Sequence, residues 1–263
     1  MKKLTGIFLA SAAVLLTACG PSNDTTATAE APAQVRKIVI GLDDNFPPMG
    51  FRDEKNQLVG FDIDLAREAA KRLDLEVEFK PIDWSAKEAE LHGKRVDVLW
   101  NGLTITEERK KHIQFTKPYM ANHQIIMVAQ SSDIQTKADL AGQVVGAQEG
   151  STAIDAIQKE PEVFESFKEL KTFGDNVTAL MDLSAGRLHA VVVDEVAGRY
   201  LADKREGEYR ILEENFGTEE YGVGVHLEDK ELHAQLDKVL DEMKQDGSAG
   251  RIATEWFGAD IIK

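Results

Sequence analysis

The chain has 263 residues, of which 43% are hydrophobic and 29% charged, and its formal net charge is −15. This acidic excess argues against a nucleic-acid-binding protein, which needs basic surfaces. Length and composition are ordinary for a globular α/β protein of one or two domains.

The N-terminus has the pattern of a targeting segment. A basic pair, Lys2-Lys3, precedes an apolar run from Ile7 to Leu16 that is too short for a standard membrane-spanning helix. We therefore expect residues 1–18 to be a signal peptide. The run ends in Leu16-Thr17-Ala18-Cys19, which resembles a bacterial lipobox.

The lipobox resemblance implies that Cys19 becomes the lipidated first residue of the mature protein, carrying palmitate or similar acyl chains. The alternative is an unlipidated secretory signal with a chance cysteine. Cys19 is the only cysteine, so a disulfide within the chain is excluded. Residues 19–34 are rich in Ala, Thr, Ser and Pro and predict a flexible tether between membrane and domain.

The first strand–helix unit follows the tether. Residues 35–41 predict a strand, and Pro47-Pro48 stops regular pairing in the loop after it, where open α/β sheets bind ligands. The sequence Gly60-Phe61-Asp62-Ile63-Asp64-Leu65-Ala66 then opens a helix. Its two aspartates favour helix capping over a catalytic pair of carboxylates.

A candidate anion site lies after the predicted strand at residues 96–100. Glu107 to His112 has helical composition, and Thr104 or Thr106 is suited to cap it. The free N–H groups of such a helix start, with the guanidinium of Arg109, favour a small carboxylate. The alternative is an ordinary strand–turn–helix with Arg109 on a solvated face.

Two more strand ends carry polar side chains. After the strand at residues 144–147, Gly150 permits a tight turn, and Ser151 and Thr152 begin a helix that offers a second place for an anion. Simple N-capping by Ser151 is the alternative. The apolar strand at 188–193 ends at Asp194, which must find a cation or hydrogen-bond donors, or else cap the next helix.

The stretch Trp100-Asn101-Gly102-Leu103-Thr104-Ile105-Thr106-Glu107-Glu108-Arg109, followed by Phe115-Thr116-Lys117-Pro118-Tyr119, resembles the periplasmic-type amino-acid-binding proteins of ABC importers. The chain is similar to the polar amino-acid group of that family, of histidine-, glutamine- and cystine-binding type. The segment Gly60–Ala66 matches a second family motif, and the resemblance extends from about Val35 to Phe257.

The resemblance implies an α/β, two-lobe periplasmic-binding-protein-like fold of type II, with ligand in the interlobe cleft. Lobe 1 would comprise residues 35–122 and 221–263, and lobe 2 residues 123–220. Closure around ligand would present a surface to a membrane permease.

The resemblance also assigns roles in holding a free amino acid. The α-carboxylate would be bound by a guanidinium, hydroxyls and backbone amides, and the α-ammonium by acids and a carbonyl. Two aromatic residues would stack on the ligand side chain, and Asn101 stands where relatives often carry a small residue. The residues concerned are Arg109, Thr104, Ser151 and Thr152 for the carboxylate, Asp194, Gly102 and Asp43 for the ammonium, and Phe46 and Trp84 for the side chain.

We therefore expect a monomeric, non-enzymatic lipoprotein on the outer side of the bacterial cell membrane, feeding an ABC permease. Cystine, an uncharged polar and a basic amino acid all remain open, and Glu149 and Glu195 beside the site would favour a basic or polar ligand. We expect no cofactor and no metal, because the six histidines lack tight ligand spacing. The alternatives are a prephenate- or arogenate-type dehydratase with Glu149 as general acid, and a surface adhesin that binds no small molecule.

Overall fold

The computed structural model describes residues 36–263. The predicted signal peptide (1–18), Cys19 and the tether (19–34) lie outside these residues. The strands are β1 (Arg36–Leu42), β2 (Asn45–Phe46), β3 (Gly50–Arg52), β4 (Leu58–Val59), β5 (Leu75–Pro81), β6 (Val98–Leu99), β7 (Ile113–Phe115), β8 (Met120–Ala129), β9 (Val144–Gln148), β10 (Glu169–Phe173), β11 (Ala190–Asp194), β12 (Tyr209–Tyr221) and β13 (Gly224–His226). The helices are α1 (Phe61–Arg72), α2 (Lys87–His92), α3 (Thr152–Gln158), α4 (Pro161–Ser166), α5 (Asn176–Ser184), α6 (Glu195–Lys204), α7 (Lys230–Gln245) and α8 (Ser248–Phe257).

Two five-stranded sheets define two lobes. The sheet of lobe 1 has the order β5-β1-β6-β13-β7, with β13 antiparallel to both of its neighbours. The sheet of lobe 2 has the order β10-β9-β11-β8-β12. A small sheet, β2-β3-β4, lies in the first part of the chain and belongs to lobe 1. Each large sheet thus mixes parallel strands with antiparallel ones.

The two lobes are joined through β8 and β12, which run antiparallel from Tyr209↔Ala129 to Tyr221↔Met120. The expected boundaries at 122/123 and 220/221 fall within these two strands. Lobe 1 is therefore built from two separate parts of the chain, because β13, α7 and α8 follow the return through β12.

Apolar faces of the helices cover both sheets. In lobe 1, α1 contacts β5, α7 and α8, and α7 buries Leu232, Leu236, Val239 and Met243. In lobe 2, the run Ala190–Asp194 is buried at every position, as its continuous apolar composition predicts for a central strand. Within residues 36–263, the helices are all too short or too polar to cross a membrane.

The prediction of a helix at residues 107–112 is wrong. The chain forms a single 3₁₀ turn, Arg109–Lys111, and then enters β7. The Oγ of Thr106 accepts a hydrogen bond from the N–H of Arg109, whereas the hydroxyl of Thr104 donates to Glu219. Pairing of β7 with β13 buries Ile113 in lobe 1, and this tertiary contact overrides the helical composition.

The prediction that Asp62 caps helix α1 is also wrong. Gly60 begins helix α1 without a side-chain cap, and Asp62 instead accepts hydrogen bonds from the Gly102 N–H (2.7 Å) and the Tyr119 hydroxyl (3.0 Å). Asp64 accepts from the indole N–H of Trp256 (2.9 Å). The first turn of α1 therefore holds the loop that follows β6.

Candidate functional site

The ten residues predicted to bind ligand surround one small cavity between the lobes. Lobe 1 contributes aromatic, polar and charged groups, and lobe 2 contributes two hydroxyls and an acid. Their roles in binding stay predictions, although the structure brings all of them together. They are Asp43, Phe46, Trp84, Asn101, Gly102, Thr104 and Arg109 from lobe 1, and Ser151, Thr152 and Asp194 from lobe 2.

Arg109 is held at the cavity by the turn after β6. Its side chain is 7% exposed, and it donates to the Thr104 carbonyl (2.9 Å) and to the Gly150 carbonyl of lobe 2 (3.1 Å). A carboxylate oxygen of Glu88 lies 3.7 Å from its Nε. Burial lowers the pKa of Arg109, but a guanidinium stays charged in proteins. The carbonyl bonds use two of five N–H donors, so the group retains capacity for an anion.

Asp194 lies at the end of β11 and is 7% exposed. Its Oδ1 accepts three hydrogen bonds, from Asn122 (2.6 Å), Gln124 (3.1 Å) and the Tyr221 hydroxyl (2.7 Å). Asp194 begins helix α6 without a side-chain cap, so the capping alternative is not observed. All three donors reach the same oxygen, which leaves Oδ2 for a cation in the cavity.

The ionisation of Asp194 is affected by the neighbouring carboxylate of Glu219. Burial, and secondarily the Glu219 carboxylate, raises the pKa of Asp194 to about 7. Glu219 accepts hydrogen bonds at Oε2 from the Thr104 hydroxyl (2.9 Å) and from Gln124 (2.9 Å). Glu219 therefore links β12, one of the two strands that join the lobes, to the site. Sequence reasoning missed this residue because it lies in an acidic segment where the fold alone distinguishes one carboxylate from another.

Asp43 belongs to a second polar network that also joins the lobes. Its Oδ2 accepts from the amide of Gln148 in lobe 2 (2.7 Å), whose oxygen accepts from Asn176 (2.9 Å). Its backbone N–H donates to the Asn101 side chain (3.1 Å). Burial raises the pKa of Asp43 to about 6. Gln148 and Asn176 were missed from sequence, since neither stands in a recognisable motif.

The hydroxyls of lobe 2 lie at the start of α3. Ser151 donates to the Gln148 carbonyl (2.7 Å) instead of capping the helix. Thr152 donates to the hydroxyl of Thr104 across the cleft (3.2 Å). Together with the Gln148–Asp43 bond, this contact shows that the lobes meet directly in this structure, which is a closed form of the cleft.

Two aromatic side chains form apolar walls of the cavity, and the backbone of a glycine lies close to it. Phe46 and Trp84 are 5% and 6% exposed. Gly102 has a φ of +58°, and a Cβ at this position would lie 2.9 Å from the Phe46 ring. Glycine is therefore required where the backbone meets the cavity.

The two glutamates expected to flank the site lie outside the cavity lining. Glu149 is exposed, whereas Glu195 accepts from Arg199 (2.6 Å) and lies 2.7 Å from the His123 ring. Residues 36–263 contain no group of three or more His, Cys, Asp or Glu side chains that could hold a metal ion.

Two α/β lobes that meet over a cavity lined by a guanidinium and carboxylates define a two-lobe solute-binding protein. The model of the bacterial extracellular solute-binding proteins, family 3, matches residues 38–259, and the chain belongs to this family.

Similar proteins span nearly the same length. The L-cystine-binding protein of Escherichia coli is 31% identical over 228 residues, covering 86% of this chain and 84% of its own. The histidine-binding periplasmic protein of Salmonella typhimurium is 34% identical over 245 residues, covering 90% and 93%. A substrate-binding protein of an ABC uptake transporter from Streptococcus pneumoniae, solved with histidine, superposes with a TM-score of 0.83 at 33% identity, covering 86% and 94%. The predicted family and two-lobe type II fold are confirmed.

Proposed function

We propose that this protein captures a free amino acid by its α-carboxylate and α-ammonium and delivers it to the permease of an ABC importer. The observation that carries the proposal is the placement of Arg109 on lobe 1 and Asp194 on lobe 2 around one cavity. A zwitterion offers one pole to each group whatever its side chain. The names of the relatives, which bind cystine and histidine, support the same class of ligand.

The chemistry of capture follows from the donors present. Arg109 pairs with the carboxylate, assisted by the hydroxyls of Thr104, Ser151 and Thr152. The free oxygen of Asp194 and the Gly102 carbonyl receive the ammonium. Charge-assisted hydrogen bonds contribute roughly 1.5–3 kcal/mol each, and several together offset the cost of association to give affinity of about micromolar.

The side-chain end of the cavity favours a polar or basic amino acid, or cystine. Asp43, Asp194 and Arg109 are its ionisable residues, so one acid remains after the α-groups are paired. Asp43 then meets the ligand side chain together with Gln148 and Asn101, or adds to the ammonium site. Phe46 and Trp84 stack on the apolar part of that side chain.

Delivery depends on closure. A ligand that contacts both lobes stabilises the closed form by its differential affinity for that state. The closed surface is then recognised by the permease. We propose a monomer whose lobes are bounded at 122/123 and 220/221, and which is held on the outer face of the cell membrane through acyl chains on Cys19. Two or more chains anchor a protein stably.

Calorimetric titration with the twenty amino acids and cystine tests the capture proposal. Heat on mixing with one or a few members is expected. An absence of response to every member, with turnover of prephenate or arogenate, would favour the dehydratase alternative. Glu149, the general acid that this alternative names, is exposed and lies outside the cavity lining.

The anchor is tested separately by cell fractionation. The full chain should sediment with membranes and carry labelled palmitate, and Cys19→Ser should abolish the label without changing ligand affinity. Recovery of unlabelled wild-type protein in the soluble fraction would reject the anchor and leave the capture proposal intact.

A further inference from the structure

Lys87 is a buried lysine beside the cleft that the binding scheme does not use. It begins helix α2 in lobe 1 and is only 3% exposed. Its Nζ donates to the Trp84 carbonyl (3.1 Å) and, across the cleft, to the Gly150 carbonyl of lobe 2 (2.7 Å). It also lies 5.2 Å from the centre of the Trp84 ring. Buried lysines are rare unless they are paired, so this placement needs an explanation.

The partners of Lys87 are neutral. Among the ion pairs of the described residues, Lys87 has no carboxylate within salt-bridge distance. The charged groups that face it are Arg109, which shares the Gly150 carbonyl, and the more distant acids Glu88, Asp155 and Asp83. The two hydrogen-bond acceptors of Lys87 are therefore both backbone carbonyls, one on each lobe.

The backbones of the two lobes lie close together at this point. Gly150 has a φ of +71°, and a Cβ there would lie 2.8 Å from the Cα of Ser85 on lobe 1. Gly150 directly precedes Ser151 and Thr152, the two hydroxyl residues that lobe 2 contributes to the cavity. A group that holds the Gly150 carbonyl therefore also positions this turn against lobe 1.

We propose that Lys87 is an interlobe latch: its amine holds the Gly150 carbonyl in the closed form, stabilises that form and slows ligand release. The proposal rests on the proposed function, because it requires that the cleft open and close around a ligand. Lys87 is a positioning residue, since it acts through the 150–152 turn and does not line the cavity.

The test compares wild type with Lys87→Met, and Lys71→Met serves as the matched control because it removes an exposed lysine of lobe 1. L-histidine and L-cystine are the probes. Lys87→Met should raise the dissociation rate about fivefold to tenfold with little change in the association rate.

A ligand-independent measurement separates this proposal from the capture proposal. Fluorescence energy transfer between dyes on Glu54→Cys and Glu162→Cys, in a Cys19→Ser background, reports the distance between the lobes. Lys87→Met should reduce the closed population even if neither probe binds, whereas failure of all amino acids to bind rejects the capture proposal. Unchanged dissociation rate and lobe distance in folded Lys87→Met would overturn the latch. Lys87→Leu repeats the test should the first variant misfold.

Discussion

Arg109 and Asp194 differ in what the protein already provides for them. Arg109 is bound by carbonyls, whereas Asp194 receives three donors on one oxygen. The cation is therefore the less completely paired of the two groups. A ligand carboxylate contributes most at Arg109, because the Glu88 carboxylate lies 3.7 Å from Nε and leaves this buried positive charge only weakly paired.

We expect Arg109→Ala to weaken binding of every amino acid that the protein recognises. Truncating one partner of a buried, hydrogen-bonded charge pair costs about 2–4 kcal/mol, or roughly 30- to 700-fold in affinity. Trp84→Ala is the comparison, because loss of a stacking surface should change the order of preference among ligands. Calorimetry with the same panel measures both. Wild-type affinity in Arg109→Ala would show that this guanidinium is not the carboxylate site.

The raised pKa of Asp194 predicts that affinity depends on pH. Burial raises the pKa of Asp194 to about 7 in the closed cleft. The ligand ammonium lowers this pKa, because it favours the ionised acid. The complex thus binds fewer protons than the free protein. Affinity should be full above about pH 8 and should approach a fall of roughly tenfold per pH unit below about pH 6.

Titrations between pH 5 and pH 8 measure this dependence. Asp194→Asn should bind more weakly at pH 8 and should lose most of the slope. Glu219→Gln removes the neighbouring negative charge while keeping an acceptor, so it should move the midpoint to lower pH. Equal affinity at pH 5 and pH 8 in the wild type would contradict the assignment of Asp194 to the ammonium.

Sequence patterns identified the residues that stand at strand ends and turns. Asp194 follows a continuous apolar run, and Ser151 and Thr152 follow Gly150, so their positions in the sequence pattern made them candidates for the site. The sequence pattern around Lys87, Gln148 and Glu219 has no such feature. Each is a polar residue that would be ordinary on a surface, and its burial follows only from the contact between lobes.

At the scale of elements, local composition predicted the long helices and central strands but not the short turns. The apolar period of α7 and the β-branched run of β11 agree with their burial. The turn Arg109–Lys111 and the helix Pro161–Ser166 escaped prediction. Elements of three to six residues contribute few local hydrogen bonds, and their form is decided by the packing around them.

Helix α1 supports the site through Asp62, and this gives a prediction at the scale of elements. Asp62 is 1% exposed and accepts from the Gly102 N–H and the Tyr119 hydroxyl. Asp62→Ala leaves both donors buried without a partner, which costs about 2 kcal/mol or more. We expect Tm to fall by roughly 4–8 °C and ligand affinity to fall as well, because the loop carrying Asn101 and Gly102 loses its support.

Asp62→Asn is the matched control for that loss. Its side-chain oxygen still accepts from Gly102, and the variant avoids the buried carboxylate whose pKa burial raises to about 7. It should retain most of the stability. Thermal unfolding followed by circular dichroism measures all three proteins, and equal Tm values for Asp62→Ala and the wild type would show that α1 does not support the loop.

At the scale of the whole molecule, closure joins groups that are far apart in the chain. The Gln148–Asp43 and Thr152–Thr104 bonds cross the cleft at the cavity. The resemblance to known motifs predicted the two lobes and the residues between them. It did not predict which contacts the lobes make with each other, because those depend on the relative position of two separately folded units.

An aromatic contact away from the cavity provides the test of closure. Tyr200 on α6 of lobe 2 packs against Phe51 on β3 of lobe 1 with ring centroids 5.9 Å apart, and Phe51 packs on Trp256 at the same distance. Opening the cleft separates Tyr200 from Phe51. Since an aromatic pair contributes about 0.5–1.5 kcal/mol, Tyr200→Ala should raise Kd roughly 2- to 12-fold.

The expected loss in Tyr200→Ala is the same factor for every ligand, because Tyr200 does not line the cavity and affects only the equilibrium between open and closed forms. Tyr200→Phe keeps the ring and should bind like the wild type. A change in ligand preference, or an unchanged Kd in Tyr200→Ala, would show that this contact does not contribute to closure. Calorimetry with two ligands of different side chain separates these outcomes, since a pure shift in the closing equilibrium multiplies both dissociation constants equally.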